Sequence, residues 1–279
     1  MIYAIVVTYN PDIDILYAQY HSLVNQVDGI IYIDNNSAIE FKIPENNKVR
    51  IIRNTDNLGL GVAQNEGIEK AKEYGANYIL LLDQDSKLPN NMVDILYTEL
   101  NKIVKAGNKI AAMCPVIYSA YSKSDKPGIV SLGLNIRRKI IDGSEAVIYA
   151  IASGSLIPVS VLDVVGCMNE KMFIDGIDLE WCLRARSMGY IVYNTSKTKL
   201  VHRLGNGSND IVLNHSIIRE YYIIRNSLAL ICFKYVPFGF AVRKIIFSFA
   251  RVLSSLFKGR FDYFKAGIRG IKDGILMKL

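Results

Sequence analysis

The chain has 279 residues, 51% of them hydrophobic, and a formal net charge of +7. That length and apolar content suit one large α/β domain, or a domain with an appendage, and exclude disorder as the default state. The charge is local: from Asn226 onward ten basic residues stand against Asp262 and Asp273, so the bases mark one surface. With no nucleic-acid motif beside them they do not indicate a nucleic-acid partner.

Residues 1–8 are apolar, carry no basic leader and meet Asn10-Pro11 too soon for a signal sequence, so they read as a first buried strand. Cys114, Cys167, Cys182 and Cys232 lie far apart with no pair at metal-ligand spacing. Neither a zinc site nor a disulfide framework is suggested, and a reducing cytosol is expected.

Short apolar runs at 2–7, 30–33, 49–52 and 78–82 alternate with helix-like stretches, the pattern of a mostly parallel sheet flanked by helices. Each run ends in a polar, turn-forming cluster: Thr8-Tyr9-Asn10-Pro11-Asp12, Asp34-Asn35-Asn36-Ser37, Asn54-Thr55-Asp56-Asn57 and Asp83-Gln84-Asp85-Ser86. All four fall at carboxyl ends of strands, the edge where open α/β sheets bind ligands, which favours a nucleotide pocket.

Two of these clusters carry more specific signals. In Asp83-Gln84-Asp85 two carboxylates are separated by one residue at a strand end, so they can point the same way and share a divalent ion. The alternative is that Asp83 holds the loop while Asp85 or Ser86 caps the next helix. Gly59 and Gly61 precede a helix running through Asn65 and Gly67, where close backbone approach and a helix amino end suit an anion. Their spacing does not match the dinucleotide fingerprint, so an ordinary loop is the competing reading.

Residues 121–128 read as an exposed loop, followed by a hairpin around Asp142-Gly143 that covers the site. Further on, Asp175, Asp178 and Glu180 cluster at the start of a helix that reaches about Met188. Acids there complement the helix dipole, but Trp181 and its apolar neighbours imply partial burial, which raises a carboxyl pKa and suits a general base. His202 ends a strand-like run and is by itself weak evidence for a ligand.

In order along the chain, Val7-Thr8-Tyr9-Asn10, Asp34-Asn35-Asn36-Ser37, Asn57-Leu58-Gly59, Asn65-Glu66-Gly67-Ile68, Asp83-Gln84-Asp85-Ser86 and Ser153-Gly154-Ser155 are followed by three closing pieces. These are Phe173-Ile174-Asp175 with Asp178-Leu179-Glu180-Trp181-Cys182-Leu183-Arg184, then His202, then Tyr221-Tyr222-Ile223-Ile224-Arg225-Asn226. The series resembles family two glycosyltransferases of the GT-A fold, a Rossmann-like α/β architecture, and more narrowly bacterial rhamnosyltransferases. The likeness runs from residue 5 to about 226.

The resemblance implies that Thr8, Asn10 and Asp34 hold the nucleoside of a nucleotide-sugar donor, that Gly59 and Asn65 border the diphosphate or sugar, and that Asp83 faces ribose and sugar. It implies Mg²⁺ or Mn²⁺ on Asp85, with His202 as a further metal ligand. Asp178 matches the family's catalytic aspartate, although Ile177 stands where a glutamate is usual; Asp175 and Glu180 are the other candidates for the base. The implied reaction is inverting transfer of a sugar, L-rhamnose from dTDP-rhamnose, to a lipid-linked or growing cell-surface polysaccharide of the O-antigen or capsule kind. Rival readings are a related transferase using a UDP-sugar, a sugar-phosphate nucleotidyltransferase, and a non-catalytic membrane-surface scaffold.

These readings divide the chain at 225, into a catalytic domain 1–225, with a nucleotide-sugar half 1–118 and an acceptor half 119–225, and a helical extension 226–279. In the extension Lys244, Ser248, Arg251, Ser255 and Lys258 recur opposite Ile245, Ile246, Phe249, Val252, Leu253, Leu256 and Phe257, a basic amphipathic helix. The run before it carries Lys234 and Pro237 and falls short of a membrane span. A peripheral position on the inner face of the plasma membrane is therefore expected; packing on the catalytic domain or a second subunit is the alternative.

Overall fold

The computed structural model describes residues 1–119, 122–202 and 216–276. From the amino terminus, β1 (Ile2–Thr8), α1 (Ile13–Leu23), β2 (Gly29–Asp34), β3 (Val49–Arg53), α2 (Leu60–Glu73), β4 (Tyr78–Asp83), α3 (Met92–Lys105) and β5 (Ile110–Ser119) form the first half. Then come β6 (Ser124–Asp125), β7 (Gly128–Ser131), β8 (Arg137–Lys139), β9 (Ser144–Val147), β10 (Ser155–Pro158), α4 (Val159–Val165), α5 (Ile177–Ser187) and β11 (Ile191–His202). Helices α6 (Ile217–Ala229), α7 (Phe238–Phe257) and α8 (Phe261–Leu276) follow.

The main sheet runs β3-β2-β1-β4-β10-β5-β11-β9. β3, β2, β1 and β4 are parallel, as are β5 and β11, while β10 and β9 enter antiparallel. Because strand side chains alternate, β1 sends Ala4 and Val6 to one face and Ile5 to the other. The first face is covered by Leu16 and Leu23 of α1 and Leu96 and Leu100 of α3. The second is covered by Ile68 of α2, Leu162 of α4 and Leu183 of α5. The four strands read from the sequence thus occur, each one or two residues longer.

Three expectations need correction. The hairpin lies at β7 and β8, not at Asp142-Gly143, which instead lead into β9 on the far edge beside β11. Backbone pairing decides this: Ser144–Val147 finds β11 as partner. The hairpin's Leu134 meets Gly239 and accepts a hydrogen bond from Arg243 at 3.2 Å, so its tip rests on α7.

Second, a boundary at 225 falls inside α6, and Leu230, Val236, Phe240 and Ala241 share a core cluster with Ile177 and Leu183. The apolar run after Asn226 is buried against the catalytic half and does not lead into a detached tail.

Third, the basic stripe of α7 is turned inward: Ser248 and Ser255 are buried and Lys244 and Arg251 only partly exposed, while Ile246, Phe249, Leu253, Leu256 and Phe257 of the apolar stripe are exposed. Glu220 on α6 draws Arg251 inward, and Val252 meets Gly267 of α8. Among the described residues no helix is long and apolar enough to cross a membrane.

Candidate active site

The carboxyl ends of β1, β2 and β4 are tied to one another by side chains. Buried Asp34 accepts hydrogen bonds from the Thr8 hydroxyl at 3.2 Å and the Ser37 hydroxyl at 2.5 Å, and Arg53 lies 3.3 Å from its other oxygen. Asn10, with φ of 47°, accepts from the Ala38 N–H at 2.8 Å, so the β1 and β2 loops close on each other. The Gln84 side chain accepts from the Tyr9 N–H at 2.8 Å and donates to the Tyr9 carbonyl at 3.3 Å, joining β1 to β4. Thr8, Asn10 and Asp34 are therefore brought together in one wall. Asp34 is an organiser of that wall, its carboxylate already shared among three side chains.

The Asp83–Ser86 turn is held from behind. The Asp83 N–H donates to the Ser153 hydroxyl at 3.1 Å, and Ser153 and Ser86, both buried, share a hydrogen bond of 2.6 Å. The Gly154 N–H donates to the Leu81 carbonyl at 2.7 Å. These contacts explain why Ser153-Gly154-Ser155 accompanies the acidic turn in the sequence. Asp85 is partly exposed and forms no hydrogen bond or ion pair among the described residues. Lys87 forms an isolated antiparallel bridge with Val201, one residue before His202. The backbone thus places the Asp85 turn beside the end of β11; the His202 side chain and residues 203–208 lie outside the described residues. Among the described residues no group of three His, Cys, Asp or Glu side chains could hold a metal ion, so a divalent cation at Asp85 would keep most of its water and phosphate ligands.

Two expected donor-site residues have other work. Asn65 donates to the Met168 carbonyl at 3.0 Å and Glu170 at 2.9 Å and accepts from the Met168 N–H at 2.9 Å, so it straps α2 to the segment before α5 and has no side-chain group left for a diphosphate. Gly59 has φ of 89°, and a Cβ there would sit 2.8 Å from the Phe173 carbonyl oxygen. The same oxygen accepts from the Leu60 N–H at 2.5 Å, so the first donor of α2 is used inside the protein. Both assignments come from the resemblance alone; the glycine-and-helix-start pattern around them serves packing as readily as anion binding.

The three acids near the start of α5 separate clearly. Asp175, with φ of 64°, receives two hydrogen bonds of 2.9 Å from the Arg219 guanidinium. Glu180 is buried, pairs with Arg184 at 2.8 Å and accepts from the Tyr235 hydroxyl. Asp178 has no ion-pair partner among the described residues; one of its oxygens accepts from the Leu179 N–H at 2.8 Å. Although part of its surface stays open, surrounding protein removes much of its hydration. That enclosure pushes its carboxyl up to about 6, opposed by the Leu179 N–H and assisted by the negative charges of Asp83 and Asp175. The sheet edge and the α5 acids therefore meet at Asp83 and Asp178.

Lys244 enters this site from α7. Enclosure lowers its pKa, while Asp178 and Asp175 act to raise it, so the ammonium lies within electrostatic reach of both acids. Its Nζ stands 5.5 Å from the Phe240 ring centroid and 5.9 Å from that of Phe247. Sequence periodicity puts Lys244 on the basic stripe of an interfacial helix; the core packing of Phe240 and Ala241 turns it inward. Arg219, Gln84 and Lys244 were missed as site residues because each depends on a long-range contact that no local motif announces.

Comparison with known proteins is consistent with this geometry. Residues 3–163 match the family model described as glycosyl transferase family 2. The chain is 31% identical over 287 aligned positions to the dTDP-rhamnosyl transferase RfbF of Shigella flexneri, covering 98% of this chain and 95% of that protein. Among solved structures it is similar to GalNAc-T7 with UDP, GalNAc and Mn²⁺ (TM-score 0.60, 15% identity, 82% of this chain and 51% of that one). It spans about half the length of that chain. It is also similar to Staphylococcus aureus TarS 1-349 with UDP-GlcNAc (TM-score 0.58, 13% identity, 98% and 80%). The mannosyltransferase PcManGT from Pyrobaculum calidifontis with GDP-Man and Mn²⁺ has a TM-score of 0.58 at 12% identity, over 100% and 76%. At these identities the structural likenesses establish the fold, an α/β sheet flanked by helices.

Proposed function

The chain belongs to glycosyl transferase family 2, and we propose that within this family it transfers L-rhamnose from dTDP-rhamnose, with inversion, to a lipid-linked or growing cell-surface polysaccharide. The observation that carries the chemistry is the state of Asp178: of the three acids around the start of α5, it alone forms no ion pair at contact distance among the described residues, the Lys244 ammonium acting on it only through its field. The donor rests on the near full-length likeness to a dTDP-rhamnosyl transferase.

In the proposed reaction Asp178 takes the proton from an acceptor hydroxyl as its oxygen attacks the anomeric carbon. The bond from that carbon to the nucleotide diphosphate breaks, and the electron pair leaves with the diphosphate. Base assistance of this kind typically contributes ~10²–10⁴-fold. Thr8, Asn10 and Asp34 form the nucleoside wall, and Asp83 faces the ribose and sugar. Asp85 and His202 are the residues that would hold Mg²⁺ or Mn²⁺, whose charge offsets that of the leaving diphosphate; two structural relatives contain Mn²⁺.

The acceptor side is proposed to face a membrane. Ile246, Phe249, Leu253, Leu256 and Phe257 of α7 and Phe261, Ile268 and Ile275 of α8 are exposed, with Arg243, Lys258, Lys265 and Lys272 exposed around them. An apolar surface rimmed by bases suits the headgroup region of an anionic bilayer. This surface supports the reading of a peripheral protein on the inner face of the plasma membrane.

The test is a donor screen with purified protein and Mn²⁺ or Mg²⁺, reading calorimetric binding and slow hydrolysis, neither of which needs the acceptor. Selective, metal-dependent recognition of dTDP-rhamnose is expected. Selective recognition of a UDP-sugar would keep the family and overturn the rhamnosyl assignment; no binding to any donor would favour a scaffold.

A further inference from the structure

The segment that delivers Asp178 is an unusual piece of backbone. Phe173 has φ of 58°, Asp175 64° and Gly176 85°. Non-glycine residues in that half of φ persist only where their surroundings over-determine them, since each costs roughly 1–3 kcal/mol. The surroundings are supplied by one face of α6. The buried Asn226 side chain places its amide nitrogen 2.7 Å from each of three carbonyl oxygens, those of Met172, Ile174 and Asp175. One helical turn earlier, Tyr222 stacks on Phe173 with ring centroids 4.6 Å apart. Arg225 lies over Tyr222 at 4.6 Å and donates to the Lys171 carbonyl at 2.5 Å. Arg219 forks onto Asp175.

Asn226 is the centre of this arrangement because, among the described side chains, it alone hydrogen-bonds the carbonyls of Met172, Ile174 and Asp175. An amide nitrogen carries two protons, so three carbonyls share them. These carbonyls precede α5; that of Met172 also accepts from the Ile174 N–H at 2.6 Å, while for those of Ile174 and Asp175 the Asn226 amide is the side-chain donor. Where α5 begins, and how far Asp178 is enclosed, follows from the path of residues 172–176.

We propose that Asn226 is a positioning residue for the reaction: by gathering the carbonyls of Met172, Ile174 and Asp175 it sets the path of residues 172–176 and thereby the place of the Asp178 carboxylate. The proposal rests on the assignment of Asp178 as base. The Tyr221-to-Asn226 segment thereby contributes a clamp on the backbone before α5.

The experiment compares the wild-type chain with Asn226→Ala, Asn226→Asp, Tyr222→Leu and Asp178→Asn, measuring dTDP-rhamnose binding by calorimetry, its turnover with water as acceptor across pH 4–9, and the thermal midpoint. Asn226→Asp presents a carboxylate to three carbonyl oxygens and is expected to be the most severe. For Asn226→Ala, turnover should fall roughly 10–100-fold with donor Kd nearly unchanged. The acid limb of its pH profile should move down toward the ordinary carboxylate range as Asp178 regains water. Tyr222→Leu, which loosens the same segment from its outer side, should show the same shift with a smaller loss, and it serves if the Asn226 variants do not fold. Turnover that falls only in proportion to the folded fraction, with the acid limb unmoved, would overturn the positioning role. If Asp178→Asn keeps full turnover, the base assignment itself fails, and that result is read without reference to the α6 variants.

Discussion

Arg251 of α7 meets Glu220 of α6 through hydrogen bonds of 2.7 and 2.5 Å, both side chains being largely buried. A buried pair contributes modestly as a pair, but removing one partner leaves an uncompensated charge. Arg251→Met is therefore expected to destabilise the fold by about 3 kcal/mol. The double variant Arg251→Met with Glu220→Met should recover most of that loss. Urea unfolding of the two variants beside wild type checks the cycle; equal losses in both would mean that Arg251 acts through packing alone.

The same pairing decides how the membrane proposal must be tested. Deleting residues 243–279 would remove Val252 and the glycine stripe of α8, in which Gly270 and Gly274 approach the Tyr221 and Arg225 carbonyls so closely that a Cβ would lie 2.8 and 2.5 Å away. Such a truncation strips α6 of its cover and confuses folding with docking. Phe249→Asp combined with Leu253→Asp changes only exposed side chains, so the unfolding free energy should move by no more than about 0.5 kcal/mol per site. Flotation with vesicles containing anionic lipid should be lost in this variant and retained in wild type. A switch from dimer to monomer in light scattering, with vesicle binding unchanged, would assign the face to a second subunit.

The sequence made the sheet legible because its signals are local. Residues 2–7, 30–33, 49–52 and 78–82 are apolar runs bounded by turn formers, and each is a strand. The antiparallel strand β10 escaped notice and β9 was assigned to a hairpin instead of to β11 for one physical reason: each is four residues long and is fixed by its neighbours more than by its own composition. The orientation of α7 was illegible for a related reason. Periodicity finds two faces, but which one turns inward depends on Glu220, a residue 31 positions from Arg251. Asp178 could be named among three acids from sequence, yet only the partners of Asp175 and Glu180 separate it from them.

Metal dependence can be tested at Asp85. Its carboxylate makes no hydrogen bond or ion pair among the described residues, so Asp85→Ala should leave the thermal midpoint of the free protein nearly unchanged. What should disappear is the additional stabilisation by dTDP in the presence of Mn²⁺; a ligand at 100 times its Kd contributes about 2.7 kcal/mol, which is lost when binding fails. Asp34→Ala makes the contrast, because it unties Thr8, Ser37 and Arg53 and should lower the midpoint even without nucleotide. Unaltered metal-dependent stabilisation in Asp85→Ala would remove this residue from the metal site.

Asp178 couples activity and stability with opposite signs. The folded chain holds the Asp178 proton up to about pH 6 because enclosure disfavours the carboxylate, whereas the unfolded chain releases it near pH 4. Between those values the folded state binds more protons, so raising the pH lowers the stability contributed by this residue, and the penalty is fully present above pH 6. Replacing the carboxyl by an amide removes the penalty. Asp178→Asn should therefore be more stable than wild type at pH 7.5, by ~1–2 kcal/mol once partial exposure is allowed for, and indistinguishable from it below pH 4. Turnover should run the other way: wild-type activity should climb through pH 6 as the base deprotonates, and the variant should retain dTDP binding while losing transfer across the whole range. Denaturant midpoints and turnover measured at pH 4, 5, 6 and 7.5 test both halves, and an Asp178→Asn protein less stable than wild type at pH 7.5 would show that the carboxylate is held in place by favourable contacts, contrary to a base poised to accept a proton.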